Sequence, residues 1–287
     1  MAVLTSQQRN ILETAVNTAR KAAEAGAFNA LHSLAVDSIE PFEHMSSEQR
    51  NLRNILCEKA LLLGDKTDRA GKRYIEHIVY ELAYETWHKM LFAKFLEANG
   101  LLIHSQGVAV SMEDCEELAQ DEGYANKWDA AANYASKMLP AIFRKDDPLM
   151  QVRFSADDRI KLEEIIDSLE NENFIADDAL GWVYQFWQSE AKAAINASGD
   201  KIDGERLPAV TQLFTEPYMV HFLIDNTVGA WWVGRNPGIR PPVNFQYLRL
   251  LEDGTPAAGK FEGWPDKTAE ITSLDPCMGS GHFVASL

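Results

Sequence analysis

Leu274-Asp275-Pro276-Cys277-Met278-Gly279-Ser280-Gly281-His282-Phe283 is the stretch on which the reading of the fold turns. It reads as a strand ending in a carboxylate, a glycine-rich turn, and the first turn of a helix. A doubly wound α/β domain begins its grip on a cofactor in this way. Asp275, at the end of the expected strand, can accept a hydrogen bond from an ammonium group. Gly279 and Gly281 remove side chains so that backbone can approach a ligand. The helix start beyond them offers N–H groups to a carboxylate or phosphate. The same G-x-G spacing also suits NAD, FAD or any tight strand-to-helix turn. With the sequence ending at Leu287, the expectation is of an α/β domain only begun.

Upstream the pattern is helical. Thr5 with Gln8 forms a capping box, followed by Ile11, Leu12, Ala15, Val16 and Ala19 on one face, with Gly26 as the expected stop. Residues 72–98 read as the strongest helix, apolar around most of its circumference and therefore central. Asn99-Gly100 supplies its left-handed end. Ser155 with Asp158 starts a further helix that carries Leu162, Ile165, Ile166 and Leu169, and an aromatic-rich one is expected over residues 178–197. Residues 198–208 are polar and contain glycine, so the expected division is a helical domain over 1–200 and the α/β beginning over 201–287. Residues 215–228 read as a short helix, with Val220, Leu223, Ile224 and Val228 buried. Residues 234–267, holding Pro237, Pro241, Pro242, Pro256 and Pro265, read as loose chain.

Composition narrows the class. Of 287 residues, 46% are hydrophobic and 24% charged, which is globular rather than disordered. The three cysteines, Cys57, Cys115 and Cys277, are far apart and form no C-x-x-C pair. That argues against a disulfide framework or a zinc site and suits a reducing cytoplasm. No apolar run reaches membrane-spanning length, and residues 1–10 lack a signal-peptide pattern. The formal net charge of −16 would repel nucleic acid at long range. Any DNA contact must then come from a local basic patch or from chain beyond this sequence.

The full terminal string is more specific than its glycines. It resembles the S-adenosylmethionine-binding motif of the DNA adenine-N6 methyltransferases, D-P-A-C-G-S-G-x-F, departing from it at Cys277-Met278. A second segment, Thr211-Gln212-Leu213-Phe214-Thr215-Glu216-Pro217-Tyr218-Met219-Val220, resembles the T-Q-x-F-T-P-x-x-[IV]-V element that precedes the cofactor loop in one class of these enzymes, with Glu216 standing between Thr and Pro. Residues 87–101, 180–187 and 226–232 are similar to the helical region of large restriction-type and BREX-type phage-defence methyltransferases. The resemblance implies a mainly helical chain joined to the start of a Rossmann-like domain that binds S-adenosylmethionine. It implies cofactor contacts at Asp275, Pro276, Gly279, Gly281 and Phe283, with Thr215 and Pro217 against the methionine moiety. It implies that the full-length protein acts on double-stranded DNA.

The same family flips adenine into a pocket where a polar-Pro-Pro-aromatic loop positions the exocyclic amine. That loop normally follows the cofactor motif by many tens of residues. Asn236-Pro237-Gly238 precedes the motif and lacks the second proline and the aromatic residue. The expectation is therefore an N-terminal fragment with no catalytic residue of its own, inactive alone. Two other classes stay open: a non-catalytic helical subunit docking other defence proteins or a separately encoded catalytic half, and an unrelated nucleotide-binding protein. Among weaker constellations, Glu85 and His88 form a single E-x-x-H, read as structural rather than metal-binding. Residues 113–122 read as a solvated acidic face, and Trp231-Trp232 as packing between domains.

Overall fold

The computed structural model describes residues 3–144, 146–199, 201–204, 206–211, 214–259, 261–276, 278 and 281–287. The chain forms two compact units, Met1–Trp187 and Gln188–Leu287. Among the described residues both are helical, and backbone pairing is confined to isolated bridges between Thr67 and Arg73, Ile103 and Ala109, and Leu250 and Pro256.

The first unit is built around two long helices, α1 (Ser6–Ser33) and α3 (Glu76–Ala98), packed on each other. The Thr5–Gln8 capping box forms as its spacing predicts. The chain does not stop at Gly26, however, and runs helical to Ser33. Gly26 has a different task. A Cβ there would stand 2.7 Å from the Phe154 ring and 3.1 Å from Cβ of Asp158. It belongs to a seam of small side chains, Ala19, Ala23, Ala27 and Ala30, all buried, along which α6 (Ala156–Asp167) lies close against α1. Helix propensity alone predicts that Gly26→Ala stabilises α1 by about 1 kcal/mol. Close packing predicts the opposite sign, and we expect a net loss of about 1–3 kcal/mol in chemical denaturation. A rise in stability would show that the Phe154 ring yields freely.

α3 is central as expected, with Ile78, Leu82, Trp87, Leu91 and Leu96 buried, but it begins four residues later than the apolar pattern suggests. Residues 66–74 instead fold into a small loop closed by Tyr74 N–H to the Lys66 carbonyl at 2.9 Å, with Gly71 at φ +88°. Buried Asp65 then caps α3 from outside the helix, accepting from the amides of His77 at 2.8 Å and Ile78 at 3.0 Å. At the other end Gly100 takes φ +66° and Leu101 N–H reaches back to the Leu96 carbonyl at 2.7 Å, the left-handed stop read from Asn99-Gly100.

The remaining helices of this unit are α2 (Ser47–Leu62), α4 (Met112–Glu122), α5 (Lys127–Met138), α7 (Glu172–Ile175) and α8 (Ala179–Trp187). Ser155 caps α6 through the Asp158 amide, and Leu162 and Ile166 are buried below it. α4 keeps Glu113, Asp114, Glu116, Glu117 and Asp121 in solvent. Glu85 is buried and pairs with Arg144 at 2.8 Å. The His88 ring lies between Tyr84 and Phe92, with centroids at 5.3 and 5.6 Å. Burial pushes that imidazole below the usual histidine range. Among the described residues no group of three or more His, Cys, Asp or Glu side chains is placed to hold a metal.

The single helix expected over 178–197 breaks at Gln188 into α8 and α9 (Ser189–Ser198). After α10 (Leu207–Thr211) comes a run of three helical pieces: α11 (Pro217–Ile224), a π turn (Asp225–Gly229) and α12 (Ala230–Arg235). Val220 is buried, but Leu223 on the same helix is exposed, contrary to the expected pattern. Trp231 is buried within this second unit, its ring 6.3 Å from Trp264 and beneath the Arg235 guanidinium. The chain ends in α13 (His282–Ser286).

Candidate functional site

The site is built from two segments. The first enters α11. Glu216 is extended, with φ −64° and ψ +144°, and is the N-cap residue, while Pro217 occupies the first helical turn. The helix therefore starts at Pro217, two residues later than the expected 215. A residue before proline is forced out of the helical region, so the boundary falls at Glu216. Thr215 and Pro217 are half-buried.

The second segment is the terminal loop. Ile271 leaves a short 3-10 turn in extended backbone, and Leu274 is 89% exposed. Among the described residues the expected strand ending at Asp275 does not form: residues 271–275 take part in no β-bridge. A parallel strand exists only where a neighbouring strand satisfies its N–H and C=O groups.

The turn and helix do form. Gly281 N–H donates to the Met278 carbonyl at 2.8 Å, and Ala285 N–H closes the first helical turn on the Gly281 carbonyl at 2.8 Å. Gly281 sits at φ +82°, a conformation that strains any residue with a Cβ. Asp275 and Phe283 are half-buried and Pro276 is exposed. Gly279, with Cys277 and Ser280, lies outside the described residues, as do Gln212 and Leu213.

These two segments, 68 positions apart at their point of contact, meet. The Phe214 ring stands edge-on to His282 with centroids 4.7 Å apart, and α11 packs on α13. The two motif segments thus touch through Phe214 and His282, with the Met278 side chain 3.8 Å from where a Cβ on Gly281 would stand.

Two proteins of known type align with this chain. The adenine-specific methyltransferase PglX of Lacticaseibacillus casei (strain Zhang) is 26% identical over 204 residues, which is 66% of this chain and 17% of that protein. The adenine-specific methyltransferase BrxX of Escherichia coli O9:H4 (strain HS) is 32% identical over 127 residues, 43% of this chain and 10% of that one. The chain resembles adenine-specific methyltransferases. The resemblance first read from the motifs is thereby borne out over the aligned parts of the chain. The aligned part spans less than a fifth of the length of either relative. No protein-family model and no solved structure matches the chain.

One feature beside the site escaped sequence reasoning. In the π turn, buried Asp225 accepts from the Tyr247 amide at 2.8 Å. Asn226 donates to the Tyr247 carbonyl at 2.8 Å and accepts from the Arg249 amide at 3.0 Å. Phe245 lies against Gly229, where a Cβ would be 3.0 Å from its ring. The proline-rich chain after α12 is thus fastened to the helix by side chains that reproduce backbone pairing. The sequence carries no signal for this, because Asp225-Asn226 reads as ordinary helix. No helix among the described residues is long and apolar enough to cross a membrane.

Proposed function

We propose that this chain is part of an S-adenosylmethionine-dependent DNA adenine-N6 methyltransferase of a BREX-like or restriction–modification defence system, acting in the cytoplasm. In this reading residues 1–200 form the helical domain and residues 201–287 open a Rossmann-like cofactor domain. The observation that carries the reading is the convergence of its two motifs, Phe214 against His282, in a chain whose relatives are adenine-specific methyltransferases. Asp275 would accept from the cofactor's ammonium group. Pro276, Gly279 and Gly281 would shape the turn around its methionine end, with Phe283, Thr215 and Pro217 lining it. Bound S-adenosylmethionine supplies the electrophilic methyl group.

These 287 residues contain no Asn/Asp-Pro-Pro-aromatic element. Arg240-Pro241-Pro242-Val243 has the proline pair but neither flanking residue, and it precedes the cofactor motif. The residues that position adenine and contact DNA would be supplied by further chain, which also accounts for the acidic balance of this part. We expect the 287-residue chain, incubated with labelled cofactor and plasmid DNA, to transfer no methyl group. A protein of the relatives' full length should label adenine N6, and Asp275→Ala in it should weaken cofactor binding at least tenfold, the scale of a charge-assisted hydrogen bond. Methylation by the short chain, labelling of cytosine, or full cofactor affinity in the Asp275 variant would each overturn the assignment.

A second reading has its own support. Tyr218, Met219, Phe222 and Leu223 of α11 are all exposed, a surface suited to docking another protein. In that reading the chain is a non-catalytic subunit bound to other defence proteins or to a separately encoded catalytic half. Co-purification as a stable complex with such a half would favour it.

A further inference from the structure

A cavity of about 540 Å³ opens in the first unit, between α3, the turn from α4 to α5, and the segment entering α6. Its size falls within the rough range of 300–1,000 Å³ typical of small-molecule sites. Aromatic and apolar side chains form much of the wall, among them Tyr124, Trp128, Phe143 and Met90. The charged lining is Lys89, Arg153 and Arg159 with the single carboxylate Asp129. In a chain of net charge −16 that local balance is inverted.

The cations differ in their company. Arg153 is paired with Asp129, and Arg159 with Glu163. Lys89 has neither a hydrogen bond nor an ion pair among the described residues. Its natural helical partner four residues earlier is Glu85, but Glu85 is held by Arg144 at 2.8 Å. The next carboxylate, Asp147, is held by Lys59 through both oxygens at 2.8 Å. Burial accordingly pushes the Lys89 amine below the usual lysine range. A half-buried ammonium whose neighbouring carboxylates are bonded to other cations keeps part of its desolvation cost, and an anion entering the cavity would reduce that cost.

We propose that this cavity binds a small planar organic anion, its carboxylate or phosphate on Lys89 and its ring against Trp128, Tyr124 and Phe143. The site lies in the first unit and is independent of the cofactor assignment. It sorts ligands by two features at once. The aromatic wall rewards a ring, and the unmatched lysine rewards a negative charge.

Isothermal titration of the 287-residue chain with 2-naphthoate, 2-naphthyl phosphate and the neutral 2-naphthalenemethanol tests this. At least one anion should bind with Kd on the order of 0.1 mM or tighter, and the alcohol about tenfold or more weaker, as a lost charge-assisted hydrogen bond requires. The tighter of the two anions identifies carboxylate or phosphate as the natural head group. Lys89→Met should weaken the anion by about tenfold and leave the alcohol unchanged. Should that variant not fold, the unaltered protein gives a second measurement: the bound anion should shield Lys89 from acylation, read by mass spectrometry, and the alcohol should not. Equal affinity for anion and alcohol, no titration of either anion at several-fold higher concentration, or unshielded Lys89 would overturn the site.

Discussion

Trp187→Ala is expected to lower the stability of the first unit by about 3–5 kcal/mol, the scale of a large aromatic removed from a packed core. Trp187 ends α8 with no exposed surface. Tyr84 stands edge-on to its indole at 5.5 Å and Tyr80 is tilted against it at 6.3 Å. Its carbonyl also accepts from Arg20 of α1 at 3.0 Å, so ring and backbone together tie α8 to both long helices. For a unit of this size the loss corresponds to a fall in melting temperature of roughly 10 °C. Trp187→Phe separates packing from polarity. The indole N–H is buried with no acceptor among the described residues, so the phenyl ring sacrifices contact area but no hydrogen bond. It should therefore recover well over half of the loss. A loss below about 1 kcal/mol for the alanine variant, measured by urea denaturation, would show that the core closes around the gap.

Removing the clamp in the second unit should have an effect of similar size but local reach. Asp225→Ala together with Asn226→Ala deletes the acceptors of the Tyr247 and Arg249 amides and the donor to the Tyr247 carbonyl. One of these bonds involves a carboxylate, and the three sum to about 3 kcal/mol. Hydrogen exchange at the Tyr247 and Arg249 amides should accelerate roughly a hundredfold. Asp225→Asn keeps an acceptor for Tyr247 and should restore part of the protection. Unchanged exchange at both amides in the double variant would show that Phe245 against Gly229 holds the segment without help.

The contrast between legible and illegible features follows the range of the forces involved. Helix caps are local, so the Thr5–Gln8 capping box and the Ser155 cap on the Asp158 amide could be read directly and occur as read. The left-handed stop at Gly100 is equally local, set by that residue's lack of a Cβ. Apolar periodicity placed α3 at the centre, because a helix apolar on all sides has to be surrounded. The mainly helical class follows from the same patterns.

Errors arose where a distant residue decided the outcome. Gly26 looks like a stop until Phe154 is seen filling the space that its missing side chain leaves. α3 starts where Asp65 caps it, not where the apolar pattern begins. The start of α11 is the local exception: Pro217 forces Glu216 out of the helical region and sets the boundary there. In the candidate site, the motif residues and their order were visible in the chain, whereas the meeting of Phe214 with His282 was not.

The amino-acid order by itself determined the helical class, the caps, the left-handed stop at Gly100 and the likeness to adenine-specific methyltransferases, since each depends on residues a few positions apart or on a linear motif. Tertiary structure alone decided which helices lie close, that residues 271–275 form no β-bridge among the described residues, and that Lys89 faces a cavity while nearby carboxylates serve other cations. Those outcomes depend on which groups compete for the same partner in space, and linear spacing carries no information about the competitors.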